Sequence, residues 1–140
     1  MSGVAVFADV QGMASLRDKM RGLVKRLGGA RAQSVHMTAA RIMRDKARQL
    51  APVFQGEPRK GAIVAPGALR AAIYAAHSRE AGDTSAIVGV NYGKAANAFW
   101  VEFGTSKMPA QPYMRPALAA TRDEMIKTIN GGYTEILNDN

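Results

Sequence analysis

The hydrophobic positions between residues 13 and 50 recur at spacings of three and four, which is the period of an amphipathic helix. A first stripe comprises Met13, Leu16, Met20, Leu23, Val24 and Leu27, and a second comprises Val35, Ala39, Ile42, Met43, Ala47 and Leu50. Ser15 and Asp18 have the spacing of a capping box, which predicts the start of the first helix. Gly28-Gly29 predicts its end, and Pro52 ends the second helix because the residue before a proline avoids the α region. We therefore expect helices from about residue 15 to 27 and from about 32 to 50.

Other segments predict short strands and a loop. Alternating, β-prone residues predict strands over residues 4–10, 73–78 and 86–91. Gly82-Asp83 has the turn chemistry of a β-hairpin that would join the last two strands. Residues 53–66 contain two glycines and two prolines without periodicity, which predicts a long exposed loop.

The C-terminal third predicts a turn, an extended arm and a last helix. A short helical turn is expected over residues 95–101. Three prolines within residues 108–116 predict an extended arm. The last helix is expected to hold Pro116 in its first turn, where a missing N–H costs nothing, and to end near Gly131-Gly132. Its inward-facing residues are expected to be Leu118, Met125 and Ile129.

The order of these elements predicts the fold class. We expect an α+β domain in which a small, mostly antiparallel sheet packs against a long N-terminal helix pair and a C-terminal helix. A chain of 140 residues suits a single domain over residues 1–140, since two cores of half that size would each be marginal. A small open sheet would keep edges that can accept a strand from a neighbouring subunit.

Positive charge is concentrated in the first half of the chain. Residues 1–70 contain 13 Lys and Arg against 4 Asp and Glu, whereas residues 71–140 contain 6 against 7, which gives a formal net charge of +8. The cationic side chains of the first helix are Arg17, Lys19, Arg21, Lys25 and Arg26. They are expected to face nucleic acid, an acidic partner surface, or solvent alone, which is the common role of charges on an amphipathic helix.

Candidate chemistry is sparse. The chain has no cysteine, which excludes disulfides and zinc–thiolate sites. His36 and His77 lie far apart, and such histidines more often lie at the surface or are hydrogen-bonded than serve as ligands or bases. No serine lies in a nucleophile elbow, no phosphate-loop motif is present, and no apolar stretch approaches the ~20 residues that span a bilayer. We therefore expect no enzymatic activity, no cofactor, no metal and no membrane partner.

One segment is more specific than these general patterns. Residues 99–118 read Phe-Trp-Val-Glu-Phe-Gly-Thr-Ser-Lys-Met-Pro-Ala-Gln-Pro-Tyr-Met-Arg-Pro-Ala-Leu. This segment resembles the aromatic-x-x-Glu-Phe-Gly-Thr-x-x-x-x-Ala-x-Pro-Phe-x-Arg-Pro-Ala pattern of the HK97 gp10-like family of phage tail-component proteins. Residues 40–53 are similar to the first long helix of that family. Residues 67–70, Gly-Ala-Leu-Arg, are similar to its Thr-Gly-x-Leu-Arg motif, with Pro66 in place of the threonine.

The resemblance covers about residues 13–130 and implies a structural virion protein of the head–tail neck of a tailed phage. It would act in tail completion, as a tail terminator, or in head–tail joining. Proteins at this joint form rings around the DNA channel, so the expected partners are further copies of the chain, in a hexamer rather than a twelve-fold ring, and adjacent neck and tail-tube proteins. Non-specific contact with genomic DNA in the channel would fit the basic helix. The expected location is the virion, after assembly in the host cytoplasm. The alternative is a non-sequence-specific nucleic-acid-binding protein that uses the basic N-terminal helices.

The residues expected to support fold and assembly together are Glu102, Phe103, Gly104, Thr105, Pro109, Pro112, Tyr113, Arg115 and Pro116. Phe103 is expected to be buried, and Gly104 to adopt a backbone conformation closed to larger side chains. Glu102 and Arg115 are expected to approach each other or to bind the backbone of the arm. The prolines limit the freedom of the arm and so reduce the entropy lost when it docks.

Overall fold

A computed structural model describes residues 13–54, 65–80 and 83–139. In these ranges the helices are α1 (Met13–Leu27), α2 (Ala30–Leu50), α3 (Ala68–Ala72), α4 (Ala98–Phe103) and α5 (Met114–Asn138), and the strands are β1 (Ile73–His77) and β2 (Ala86–Val90). The predicted α+β class is confirmed: a small antiparallel sheet accompanies an N-terminal helix pair and a C-terminal helix. The predicted strand over residues 4–10, residues 55–64 of the predicted loop and Gly82 of the predicted hairpin turn lie outside the described residues.

Helices α2 and α5 run in opposite directions along each other and form the body of the molecule. Val35 of α2 faces Gly132 near the end of α5, whereas Ala47 and Ala51 share a core with Tyr113 at its beginning. The side chains that α2 buries are small: Ala32, Ala39, Ala40 and Ala47. Small side chains let two helices approach closely, so the contact can be dense without large residues.

The predicted end of α5 at Gly131-Gly132 is wrong, because the helix continues to Asn138. Gly132 serves packing instead, since a Cβ atom at this position would collide with the side chain of Val35. The predicted inward face is also partly wrong. Leu118 is exposed, and the buried residues of α5 are Ala117, Thr121 and Ile136.

The two strands lie against α2 and pair in antiparallel register, with Ile73 opposite Val90 and His77 opposite Ala86. Their bounds agree with the predicted strands to within one residue. Ile73 is fully buried, and its carbonyl oxygen accepts hydrogen bonds from Nε and Nη2 of Arg48 at 3.1 and 2.7 Å. Arg48 therefore fixes the start of β1 to the side of α2.

A type II turn leads into α3, a short helix that the sequence pattern did not predict. The N–H of Ala68 donates to the carbonyl of Ala65 at 3.0 Å, and Gly67 has φ 79° and ψ −2°. Proline at the second position and glycine at the third favour this turn type, so Pro66 suits the place where the family pattern has threonine. From α3, Nε of Arg70 donates to the carbonyl of Ala51 at 2.8 Å and so satisfies the C-terminal end of α2.

Most of the hydrophobic stripe of α1 is exposed, whereas Leu27 at its end is partly buried. Leu16, Met20 and Val24 are each more than half exposed. The helix begins at Met13, so Ser15 lies inside its first turn and the predicted capping-box position is wrong. At the other end of α1, Arg26 donates to the main-chain carbonyl of Asp139 at 3.1 Å, which ties the helix to the end of α5.

The paired glycines of α5 test the packing of α2 against α5. We expect Gly132→Ala to lower the free energy of unfolding by about 1–3 kcal/mol, because the added methyl group overpacks the contact with Val35. At Gly131 a Cβ atom meets nothing within 4 Å, so Gly131→Ala should stabilise by about 0.5–1 kcal/mol through helix propensity. Urea unfolding followed by circular dichroism measures both variants. Equal effects of the two substitutions would contradict this role for Gly132.

Candidate functional site

The buried carboxylate of Glu102 binds the first turn of α5. Glu102 is 5% exposed, on the inner face of α4. Its Oε2 accepts hydrogen bonds from the N–H groups of Tyr113 at 2.7 Å and Met114 at 3.0 Å, and its Oε1 accepts the N–H of Arg115 at 3.2 Å. These are N–H groups that a helix start leaves without an intrahelical partner. Glu102 therefore caps α5 from a position 11 residues before Tyr113.

Arg115 adds a fourth contact to the same carboxylate. Its Nε lies 3.3 Å from Oε1 of Glu102, while most of its side chain is exposed. The expected approach of Glu102 and Arg115 is confirmed, and Glu102 also binds backbone N–H groups, those at the start of α5. Burial on its own raises the pKa of Glu102, but the N–H groups of Met114, Tyr113 and Arg115, with the Arg115 guanidinium, outweigh it and hold this pKa below its ordinary value.

Tyr113 fills the core beneath this contact. It is 1% exposed and packs with Ala47, Ala98 and Ala117. Its hydroxyl donates to the carbonyl of Ala98 at 3.4 Å. Burial raises the pKa of Tyr113 to about 12, and the nearby charges of Glu102 and Tyr92 act in the same direction. Tyr113 therefore serves as a neutral core residue that also bonds to the start of α4.

Gly104 ends α4 and turns the chain sharply, as predicted. Its φ is 77°, and a Cβ atom there would lie 2.8 Å from the backbone nitrogen of Ala110. Thr105 and Met108 then form a short bridge, with Thr105 N–H donating to the Met108 carbonyl at 2.8 Å. Next, the N–H of Gln111 donates to the carbonyl of Val101 at 2.8 Å. The segment after α4 is therefore folded back onto α4.

The predicted arm over residues 108–116 is shorter than expected. Residues 109–113 have no regular secondary structure, and Met114 already begins α5. Pro116 is the third residue of that helix and lies in its first turn, as predicted. Pro109 and Pro112 are exposed. The end of the arm was predicted too late in the sequence. The N–H groups at the start of α5 donate to Glu102, which lies in α4, and not to a capping residue next to the helix.

The prediction that Phe103 is buried is wrong, since its side chain is 53% exposed. Helix α4 buries Ala98, Val101 and Glu102, and the helical period places Phe99, Trp100 and Phe103 on the opposite side. We name these three residues, each more than half exposed, the aromatic face. Phe103 was expected inside because it follows the apolar run Phe99-Trp100-Val101, but the helical period gives the buried position to Glu102.

The aromatic face is ordered by a contact between two of its rings and by a contact with Arg115. The ring centroids of Phe99 and Phe103 lie 4.6 Å apart, and the Arg115 guanidinium lies 4.9 Å from the centre of the Phe103 ring. Trp100 also borders a groove of about 540 Å³, whose hydrophobic lining includes Val53, Phe54, Leu69 and Met108. The result is a continuous apolar surface at one end of the α2–α5 pair.

The cations singled out in α1 lie at the other end of that pair. Arg17, Lys19, Arg21, Lys25 and Arg26 are all exposed. Within the described part of the chain, the one ion pair that any of them makes joins Arg21 to the carboxylate of Asp18 at 3.9 Å, and both side chains are exposed. An exposed pair at this distance contributes little. The structure therefore does not bring these cations together with the residues around Glu102.

His36 is hydrogen-bonded on both sides, and His77 is exposed at the end of β1. Nδ1 of His36 lies 2.7 Å from the carbonyl of Thr84, so it donates, and Nε2 lies 3.1 Å from the hydroxyl of Tyr133. Among the residues described, no group of three or more His, Asp or Glu side chains could hold a metal ion. Nor does any helix in the described ranges have the length and apolar character that crossing a membrane requires.

Comparison with known proteins gives no match to a family model, a curated protein or a solved structure. The resemblance described above therefore rests on the motif residues themselves.

The contact between Glu102 and α5 predicts a pH-dependent stability. The folded pKa of Glu102 lies below its ordinary value of 4.5, so its stabilisation is complete above that value and is lost as the pH falls through the folded pKa. We expect Glu102→Gln to lower the free energy of unfolding by about 2 kcal/mol at neutral pH, because charge-assisted hydrogen bonds are replaced by weaker ones.

Urea unfolding at a series of pH values measures this difference. Wild type and the Glu102→Gln variant should converge as the medium becomes acidic. Asp83 also has a pKa lowered, to about 2, through hydrogen bonds with Ser78 and Ser85, so Asp83→Asn is the control that separates the two carboxylates. A constant gap between wild type and Glu102→Gln at all pH values would contradict the assignment.

Proposed function

We propose that the protein is a non-enzymatic structural component of the head–tail neck of a tailed phage, acting in tail completion or head–tail joining. In this proposal, copies of the chain form a closed ring around the DNA channel, six-fold in preference to twelve-fold. Adjacent neck and tail-tube proteins are its other partners, and the virion is its location. The motif over residues 99–118 supports the family, and the aromatic face is the observation that supports assembly as the function.

The aromatic face has the composition and setting of a protein interface. Phe99, Trp100 and Phe103 expose large apolar surface next to an apolar groove, and such patches on soluble proteins commonly mark binding sites. Aromatic residues and arginine are enriched in the centres of interfaces, and Arg115 lies over Phe103.

The rigidity of this face favours association. Glu102 ties α4 to α5, and Gly104 and Gln111 fold the following segment back onto α4. A surface that is ordered before binding loses less conformational entropy when it meets a partner. The same residues that hold the fold thus prepare the aromatic face for contact.

A ring needs a second, different surface on each copy, because head-to-tail contacts join unlike patches. The outer side of α5 is suited to this role. Ala119, Ile126 and Leu137 lie on it, all exposed, and the exposed Arg122 and Asp123 lie between the first two. We propose that the aromatic face of one copy packs against this side of the next.

Complementation in the phage or prophage that encodes the chain tests the proposal. Without the gene, filled heads and assembled tails should accumulate unjoined, and the wild-type gene should restore infectious particles. The double variant Trp100→Ser with Phe103→Ser should reduce the yield of infectious particles by at least about ten-fold, because two aromatic residues at the centre of the proposed interface are lost. Ile87→Ser, which changes an exposed residue of β2, is the matched control and should leave the yield unchanged.

Electron cryo-microscopy of the intact particle provides the second readout. The chain should appear at the head–tail joint with rotational symmetry about the tail axis. Particles that lack the chain, or that contain it without rotational symmetry, would refute the ring.

The exposed cations of α1 favour a second candidate function, non-sequence-specific binding of nucleic acid. Here the binding constant for duplex DNA should fall steeply with salt, with a logarithmic slope of about −4 to −5 if all five cations contact phosphates. Replacing Arg17, Arg21 and Lys25 with glutamine should reduce the slope by about 3. Titration of labelled duplexes of two unrelated sequences measures both quantities. A slope near zero would exclude this function.

A further inference from the structure

The guanidinium of Arg115 is held on two sides at the edge of the aromatic face. Its Nε donates to Oε1 of Glu102 at 3.3 Å, and its Cζ lies 4.9 Å from the centre of the Phe103 ring. The side chain is nevertheless 65% exposed. A guanidinium fixed in this way has already lost much of its rotational freedom, so a further contact costs it little conformational entropy.

The terminal nitrogens of Arg115 need hydrogen-bond acceptors once the aromatic face is covered. Within the described ranges, the side chain of Arg115 donates through Nε alone, so the N–H groups of Nη1 and Nη2 are left to water. A surface that covers Phe103 also covers part of Arg115, because the guanidinium lies over the ring. Burying a charged donor without an acceptor is strongly unfavourable. The surface that covers the aromatic face must therefore bring an acceptor to Arg115.

This acceptor has to come from the partner. The carboxylate next to Arg115, that of Glu102, is 5% exposed and already accepts four hydrogen bonds. Among the described residues that adjoin the lining of the groove, the exposed charged ones are Arg70 and Lys107, which are both cations. A carboxylate is the acceptor that fits, since it takes two guanidinium N–H groups in parallel and offsets the positive charge of this edge.

The outer side of α5, which the proposed contact between copies uses, presents Asp123 beside its apolar residues. Asp123 follows Ala119 by four residues and precedes Ile126 by three, so the three side chains are neighbours on one side of the helix. Glu124 precedes Ile126 by two residues and therefore points to a different side. Asp123 is exposed and forms no ion pair within the described ranges. Its carboxylate is therefore free to accept from Arg115.

Arg122 borders the same side of α5 along its other edge, since it follows Ala119 by three residues and precedes Ile126 by four. At the aromatic face the exposed charges are positive, so Arg122 meets no carboxylate there. The favourable orientation of the contact therefore turns the Asp123 edge towards Arg115 and leaves Arg122 in solvent.

We infer that Arg115 of one copy binds the Asp123 carboxylate of the next copy, and that this pair sets the register of the contact between copies. The aromatic rings supply the apolar area, and the charged pair selects the part of α5 that they meet. The inference rests on the proposed function, in which the aromatic face packs against the outer side of α5. It adds the two residues that determine the specificity of that contact.

Cross-linking in assembled particles tests the pair directly. Arg115→Lys places a primary amine at this position, and a carbodiimide joins an amine to a carboxylate only where the two are in contact. Residues 115 and 123 lie about 12 Å apart along one helix, so a link between them has to join two copies. We expect mass spectrometry of treated particles to find a peptide in which the amine at position 115 is joined to Asp123. No peptide should join it to Glu124.

Substitution of the carboxylate tests its effect on assembly. Asp123→Asn should lower the yield of infectious particles by at least about ten-fold, because Arg115 is then buried without a carboxylate. Glu124→Gln is the matched control on a different side of α5 and should change the yield by less than about two-fold. In an Arg115→Gln background, Asp123→Asn should cause no further loss, because the pair is already broken. Circular dichroism checks that each variant keeps its helix content and its urea midpoint.

Several outcomes would overturn the inference. They are the absence of a link from the amine at position 115, a link from it to a different protein, an unchanged yield for Asp123→Asn, and equal losses for this variant with and without Arg115→Gln. Particles that show rotational symmetry at the joint without the link would remove the pair and leave the proposed ring standing. Particles that lack the chain would refute the ring, and the pair with it.

Discussion

The contact between the Glu102 carboxylate and the start of α5 is the interaction on which the rest of the site depends. A carboxylate that is 5% exposed is stable only when several donors replace water, and three backbone N–H groups and one guanidinium do so here. In turn, Tyr113, the N-cap residue of α5, makes no capping hydrogen bond with its own side chain. The carboxylate therefore supplies the acceptors that the start of α5 needs, and the start of α5 supplies the donors that the buried carboxylate needs. This mutual requirement fixes the position of α4 relative to α5.

A second constraint is the close approach of α2 and α5. Alanines on α2 and Gly132 on α5 keep the two helices near each other, so the start and the end of α5 are both fixed against α2. The aromatic face therefore lies at one end of the rigid α2–α5 pair, and the basic helix α1 lies at the other end. With 21 residues, α2 alone spans about 30 Å. Two surfaces that far apart can contact two different partners at once.

The sequence predicted the structure correctly at positions where the residue type has one physical role. Pro52 predicted the end of α2, Gly104 predicted a backbone conformation with positive φ, and the period of residues 13–50 predicted two helices. The prediction from sequence failed at positions where a residue type can serve two roles. Gly132 could end a helix or permit close packing, and only the position of Val35 distinguishes these. Likewise, the exposure of the hydrophobic stripe of α1 depends on how α1 meets α5, which is a property of the tertiary structure.

Some residues of the motif support the fold from inside the molecule, whereas Phe103 lies at its surface. Its neighbours in sequence, Glu102 and Gly104, are required by the fold, since one caps α5 and the other makes a turn that a Cβ would obstruct. Phe103 does neither, because its ring lies outside, next to Phe99 and under Arg115. These contacts within the fold leave more than half of the Phe103 side chain exposed, whereas burial in an interface would cover it. The error in placing Phe103 therefore identifies a part of the motif that the isolated fold does not bury. It is this part that the proposed contact between copies would bury.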